Sequence, residues 1–234
     1  MTKIWGWDKK PRTMLRYIKL GDIFCFQYDD FTYCFGQIIA KVTFYIAKIY
    51  AYTSDKPIIS EDIIHNGSRL TELVVLDAYS LFDRKTEGEW RIIGHQENYT
   101  TSDAEGIYFA WGIGSGCRKS DIFNNTIDIS EEEWKVLPKL APHGDYNVKS
   151  HIVDDIYGKH MSDQELGLFM DYMKHYDTYV WEHRYIWIKA FLYAKYNKME
   201  QAEKVIKDYF RTNEESRKKV IEELRKINAN LWKA

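Results

Sequence analysis

Cys117 stands directly before Arg118 and Lys119, and cations beside a thiol lower its pKa and make it a nucleophile. A Cys/His enzyme would use such an arrangement with a histidine base drawn from elsewhere in the fold. No local signature of such an enzyme surrounds Cys117, and a lone cysteine more often fills a core than performs chemistry. His151 and His160 flank Asp154-Asp155, residue types that ligate metals. Their spacing matches no zinc pattern, so the expectation is no metal and no cofactor. The run Gly112-Ile113-Gly114-Ser115-Gly116 before Arg118-Lys119-Ser120 looks at first like a phosphate cradle. It lacks the P-loop spacing, and Asp121-Ile122-Phe123 does not open a helix whose amides would face the anion. The carboxylate pairs Asp29-Asp30 and Glu61-Asp62 sit where turns and caps use them. No catalytic constellation is expected.

A regional charge feature remains. Between Glu97 and Glu133 the chain has eight acidic residues and two basic ones, Arg118 and Lys119. Within it, Ser130-Glu131-Glu132-Glu133-Trp134 reads as a helix start, with Ser130 as cap and the glutamates complementing the dipole. The same acids can form a surface that meets a basic partner and speeds its association. Asp121, Asp128, Glu131, Glu132 and Glu133 are therefore the candidate contact residues.

The scaffold around these residues begins with an aromatic β-hairpin, Gly21 to Ile39. Folding it about Asp29-Asp30 pairs Phe24 with Phe35, Phe26 with Tyr33 and Tyr28 with Phe31, so that all six aromatics share one buried face. The opposite face would then hold Cys25 against Cys34. Before the hairpin, Trp5 and Trp7 anchor a loose arm, and a strand is expected over about Leu15 to Leu20. After it, the run to Tyr52 is too long for one strand and predicts a turn between Ala40 and Phe44. Further strands are expected over about Leu70 to Phe82, Trp90 to Gly94 and Ile107 to Gly112, with a charged hairpin turn over Asp83 to Glu89. The character changes near Asn147. Ser162 to Tyr176, Trp181 to Tyr196, Met199 to Phe210 and Asn213 to Asn230 follow helical periodicity. Ala190, Tyr193 and Ala202 sit where a single helical hairpin would use them.

The fold class expected is α+β: an N-terminal antiparallel β-sheet or partly open barrel followed by a C-terminal bundle of about four helices. Residues 1–146 form the β-rich region and residues 147–234 the helical one. With 45% apolar residues the chain can bury a core, and a net charge of −2 argues against nucleic acid and against an anionic membrane as partner. Single-stranded nucleic acid would also call for cations among the aromatics, and the hairpin has almost none. No export signal opens the sequence and no run is long enough to span a bilayer, so a cytoplasmic location is expected. The odd cysteine count argues against a disulfide framework.

The strand opening Gly21-Asp22-Ile23-Phe24, the segment Tyr33-Cys34-Phe35-Gly36-Gln37-Ile38, then Leu73-Val74-Val75-Leu76 and Gly88-Glu89-Trp90-Arg91-Ile92-Ile93-Gly94 carry a resemblance. Together, over about residues 16–94, they resemble the Immunity protein 26 family of bacterial polymorphic-toxin systems. The resemblance implies a non-enzymatic inhibitor that binds a cognate toxin domain in the cytoplasm and neutralises it by occlusion. A nuclease is one activity such a toxin can have, and acids at Asp128 and Glu131 to Glu133 would then stand in for phosphates in its basic groove. Two readings stay open beside it: a β-domain that binds nucleic acid or a small ligand, and the Cys/His enzyme.

Overall fold

A computed structural model describes residues 1–8, 15–30, 32–70, 73–82, 90–101, 106–152, 155–156, 180–209 and 214–231. The chain divides into two compact units, Met1–Val148 and Lys149–Ala234.

The first unit is built on a six-stranded antiparallel sheet of order β1-β6-β2-β3-β4-β5. Its strands are β1 (Thr2–Ile4), β2 (Asp22–Gln27), β3 (Tyr33–Lys41), β4 (Tyr45–Ser54), β5 (Val74–Leu76) and β6 (Arg91–Gln96). The sheet is open, with β1 and β5 at its ends. The turn expected inside the long run falls at residues 42–44, where the Val42 N–H donates to the Phe44 carbonyl. Helices α1 (Glu61–Asn66) and α2 (Ala78–Phe82) come from the connections on either side of β5. A second sheet of order β7-β8-β9 comprises β7 (Tyr108–Trp111), β8 (Arg118–Asp121) and β9 (Thr126–Asp128). It leads into α3 (Glu131–Val136) and α4 (Asp145–His151).

The hairpin register differs from the expectation by one residue. Phe24 lies opposite Gly36, Cys25 opposite Phe35, Phe26 opposite Cys34 and Gln27 opposite Tyr33. The Tyr28 N–H donates to the Thr32 carbonyl at 2.8 Å, which closes a three-residue loop rather than a two-residue one, and one extra loop residue shifts every pair. Phe31 lies outside the described residues. The aromatics are consequently divided between two faces, both buried. On one, Ile23, Cys25, Phe35, Tyr50 and Ile93 pack with Ile59 and with Ile64 of α1. On the other, the Phe26 and Trp90 rings stack with centroids 4.0 Å apart, and Phe24 and Phe82 meet Trp90 at 5.4 and 5.9 Å. The Trp90 indole N–H donates to the Asp145 carboxylate at 2.6 Å, a buried contact that ties α4 to the sheet. Cys25 and Cys34 now point to opposite faces, all three cysteines are free and buried, and burial above all pushes the Cys25 thiol well up from its ordinary value.

Other expectations are corrected in the same region. Leu15–Tyr17 is a single 3-10 turn instead of a strand. The stretch to Phe82 divides into the short β5 and α2 because the Asp77 carbonyl accepts from the Leu81 N–H and its carboxylate from the Ser80 N–H, a helix start. The arm holding Trp5 begins with β1, which pairs with β6. Trp7 is held between the Tyr33 ring, edge-on at 5.3 Å, and the Arg91 guanidinium at 4.4 Å. The turn at Asp83 to Glu89 lies outside the described residues.

Two sheet edges are sealed by one segment. The His143 N–H donates to Val75 of β5, and the Pro138 carbonyl and Leu140 N–H bond to Ala110 of β7. Between the sheets, Phe109 and Ile122 pack with Ile39, Ile46 and Val75.

In the second unit α5 (Val180–Lys195), α6 (Met199–Tyr209) and α7 (Glu214–Leu231) match the expected helices. Asn197 at φ 58° ends α5, with its N–H donating to Ala194 and that of Lys198 to Tyr193, the paired bonds of a Schellman motif. Ala190, Ala194 and Ala202 are fully buried and let α5 and α6 approach closely. Val220 and Leu224 of α7 are buried, with α7 packed on α5 and α6, so its apolar stripe is covered by sister helices. The helix expected over Ser162 to Tyr176 lies outside the described residues.

Candidate functional site

The acidic candidates converge on the small sheet. In β8 and β9, Arg118 pairs with Asp128, Lys119 with Ile127 and Ser120 with Thr126. Alternation then puts Arg118, Ser120, Thr126 and Asp128 on one face and Lys119, Asp121 and Ile127 on the other. The first face is tied together by a relay in which the Trp111 indole N–H donates to Ser120 Oγ at 2.8 Å and Ser120 Oγ meets Thr126 Oγ1 at 2.8 Å. One residue beyond β9 and its follower Ile129, Ser130 caps α3 by accepting the Glu133 N–H at 3.2 Å, as the sequence predicts.

The five acids play different parts. Asp121 turns back on its own loop, accepting the Phe123 and Asn125 N–H groups at 2.9 and 2.8 Å and the Asn125 side chain at 2.8 Å. Burial acts to raise its pKa, but these bonds together hold it below the ordinary carboxylate range. Glu133 accepts from Lys119 Nζ at 2.6 Å. Asp128 accepts from Arg118 Nε at 2.9 Å while its side chain stays 84% exposed. Glu131 and Glu132 lie exposed in the first turn of α3. The Glu132 carboxyl is held below its ordinary value by its own backbone N–H and then by the Ser130 hydroxyl. The structure thus gathers Asp128, Glu131, Glu132 and Glu133 where β9 runs into α3 and leaves Asp121 at the opposite, turn end of the strand. Exposed pairs such as Arg118–Asp128 contribute little stability, and the cost of opening one to a stronger partner is correspondingly small.

Sequence reasoning missed the apolar part of this surface. Ile127 is 50% exposed, and Phe123 in the β8–β9 turn is also exposed. The alternation Thr126-Ile127-Asp128 was the available signal, too short to stand out among longer strands.

The nucleophile and metal candidates do not assemble. Cys117 is buried. His151 lies exposed at the end of α4, whereas Asp154 and His160 lie outside the described residues. Among the described residues no group of three His, Cys, Asp or Glu side chains is placed to hold a metal, and no helix is long and apolar enough to cross a membrane.

The motif residues of the larger sheet have positions of their own. Gly21, at φ +84°, passes so close to the Gln96 carbonyl that a Cβ would stand 2.5 Å from its oxygen. Asp22 is fully buried, accepting the Lys19 N–H at 2.9 Å and meeting His95 Nδ1 at 2.8 Å. Gln37 donates to Gln96 at 2.7 Å and accepts from the Tyr50 hydroxyl at 3.1 Å. Asp22 with His95 thus ties β2 to β6, and Tyr50 with Gln37 and Gln96 ties β4, β3 and β6 together, as two separate polar contacts.

Residues 19–121 match the Immunity protein 26 family. The match takes in the motifs that suggested it, extends past them through β8, and covers less than half of the chain. Comparison with curated proteins and with solved structures finds no match. A family of immunity proteins implies a cognate toxin as partner, and the matched segment ends within the surface described above.

Proposed function

We propose that this protein is an immunity protein that binds a cognate bacterial toxin domain in the cytoplasm and neutralises it by non-covalent occlusion, without catalysis. The family match over residues 19–121 carries the reading. The contact surface is the acidic end of the small sheet, with Asp128, Glu131 and Glu132 presenting exposed carboxylates and Glu133 held beside them. Asp121, its carboxylate committed to its own turn, serves the surface by shaping the β8–β9 loop. A nuclease is the toxin class that fits best, since its substrate groove is basic and carboxylates occupy such a groove as phosphate mimics.

Co-expression with candidate toxin domains tests this directly. One toxin domain should become tolerated by the cell and should co-purify with the chain. Reversing Asp128, Glu131 and Glu132 to lysine should weaken that complex about tenfold or more, the range for several close charge pairs. Unchanged affinity would remove the acids from the interface.

A further inference from the structure

We propose that β9 is a strand-docking edge, which takes an extended partner segment of alternating basic and apolar residues into the small sheet by β-augmentation. The proposal deepens the immunity reading and rests on it for the partner's identity, though not for the chemistry of the edge.

The Asn125 carbonyl accepts from Asp121 of β8 at 3.1 Å, and the Ile129 N–H donates to the Cys117 carbonyl at 3.0 Å. In an antiparallel ladder residues two apart aim their backbone groups the same way. Residues 125, 127 and 129 therefore face β8, and Thr126 and Asp128 aim their N–H and C=O groups away from it. β9 ends the strand order of its sheet, and among the described residues no strand pairs with that side. The contrast with two other edges is direct, because the segment around Pro138 to His143 hydrogen-bonds along β5 and β7 and closes both.

Side-chain chemistry then selects the occupant. A strand added beside β9 places its side chains alternately on the two faces. On one it meets Asp128, 84% exposed, and past the end of the strand lie the exposed Glu131 and Glu132 of α3. On the other it meets the half-exposed Ile127. Cations on the first face and apolar groups on the second satisfy both. A second copy of this chain is disfavoured, because pairing β9 with itself would bring two sets of these carboxylates together.

The test uses the full chain and a blocked seven-residue peptide of alternating lysine and valine, read by amide hydrogen exchange. At saturating peptide the Thr126 and Asp128 amides should exchange about tenfold more slowly, while those of Ile127 and Ile129, already bonded to β8, change little. A glutamate–valine peptide should give no protection. Asp128→Pro removes an outward N–H without breaking a bond to β8, and should abolish protection at Thr126. Asp128→Asn keeps the N–H and should weaken binding only severalfold. Absence of slowed exchange at Thr126 and Asp128 with millimolar peptide overturns the proposal, as does equal protection by the glutamate peptide. Since no toxin enters this experiment, its failure is distinct from failure of the co-expression test, which reads partner identity.

Discussion

Gly36 shows how one missing side chain fixes a register. The ring of Phe24 lies across it, so that a Cβ at this position would stand 2.3 Å from Phe24 Cζ and 2.6 Å from the Lys48 carbonyl oxygen. The neighbour that would have to give way is partly backbone. Gly36→Ala is accordingly expected to destabilise the protein by about 1–3 kcal/mol, the usual cost of overpacking, seen as a lower urea midpoint at unchanged slope. A larger residue at Gly36 should fail to fold, whereas Gly116, with open space around its missing Cβ and no left-handed φ, should lose much less on change to alanine. In the sequence Gly36 was visible as a place that admits a close neighbour. That the neighbour is the Phe24 ring was not, because the loop closed by Tyr28 and Thr32 takes three residues and Asp29-Asp30 suggested two.

At the scale of elements, helix ends and helix pairs were the most legible parts. Ser130 caps α3 as its spacing to Glu133 indicates, and α5, α6 and α7 begin and end close to where periodicity places them. Short elements were not legible. β1, β5 and β9 have three residues each, and their existence depends on partners distant in sequence, such as Thr2 opposite Gln96, which local propensity does not encode. For the candidate site the charges were legible, but the Lys119–Glu133 and Arg118–Asp128 bonds that partly neutralise them were not, since they arise from register. Between α6 and α7, Glu203 accepts from Arg225 at 2.6 Å and from Lys207 at 3.3 Å. The Arg225 bond first, and Lys207 in support, hold the Glu203 carboxyl below its ordinary value against the opposing effect of burial. A depressed folded-state pKa means that the stabilisation is fully present above the unfolded glutamate's value and is lost as pH falls through the folded one. Glu203→Gln should therefore cost about 0.5–1 kcal/mol at neutral pH, discounted for partial exposure, and nothing at an acid pH below the folded carboxyl's own depressed value, where both side chains are neutral. Melting curves of the two proteins at both pH values check it.

For the molecule as a whole, charge is nearly balanced yet unevenly placed. A net charge of −2 gives little long-range attraction to any partner, so steering must come from the cluster around Asp128, Glu131 and Glu132. The reach of such a cluster is about 10 Å at 0.1 M salt and about 3 Å at 1 M. Binding of a basic toxin domain should then show an association rate that falls about tenfold between low and high salt, while the dissociation rate, set by short-range contacts at the strand edge and Ile127, moves much less. Stopped-flow mixing at several salt concentrations separates the two. Lysine at Glu131 and Glu132 should flatten the salt dependence of association without changing dissociation to the same degree. An association rate indifferent to salt would mean that the partner meets an apolar face, and the carboxylates of α3 would then be no more than the cap chemistry of a short helix.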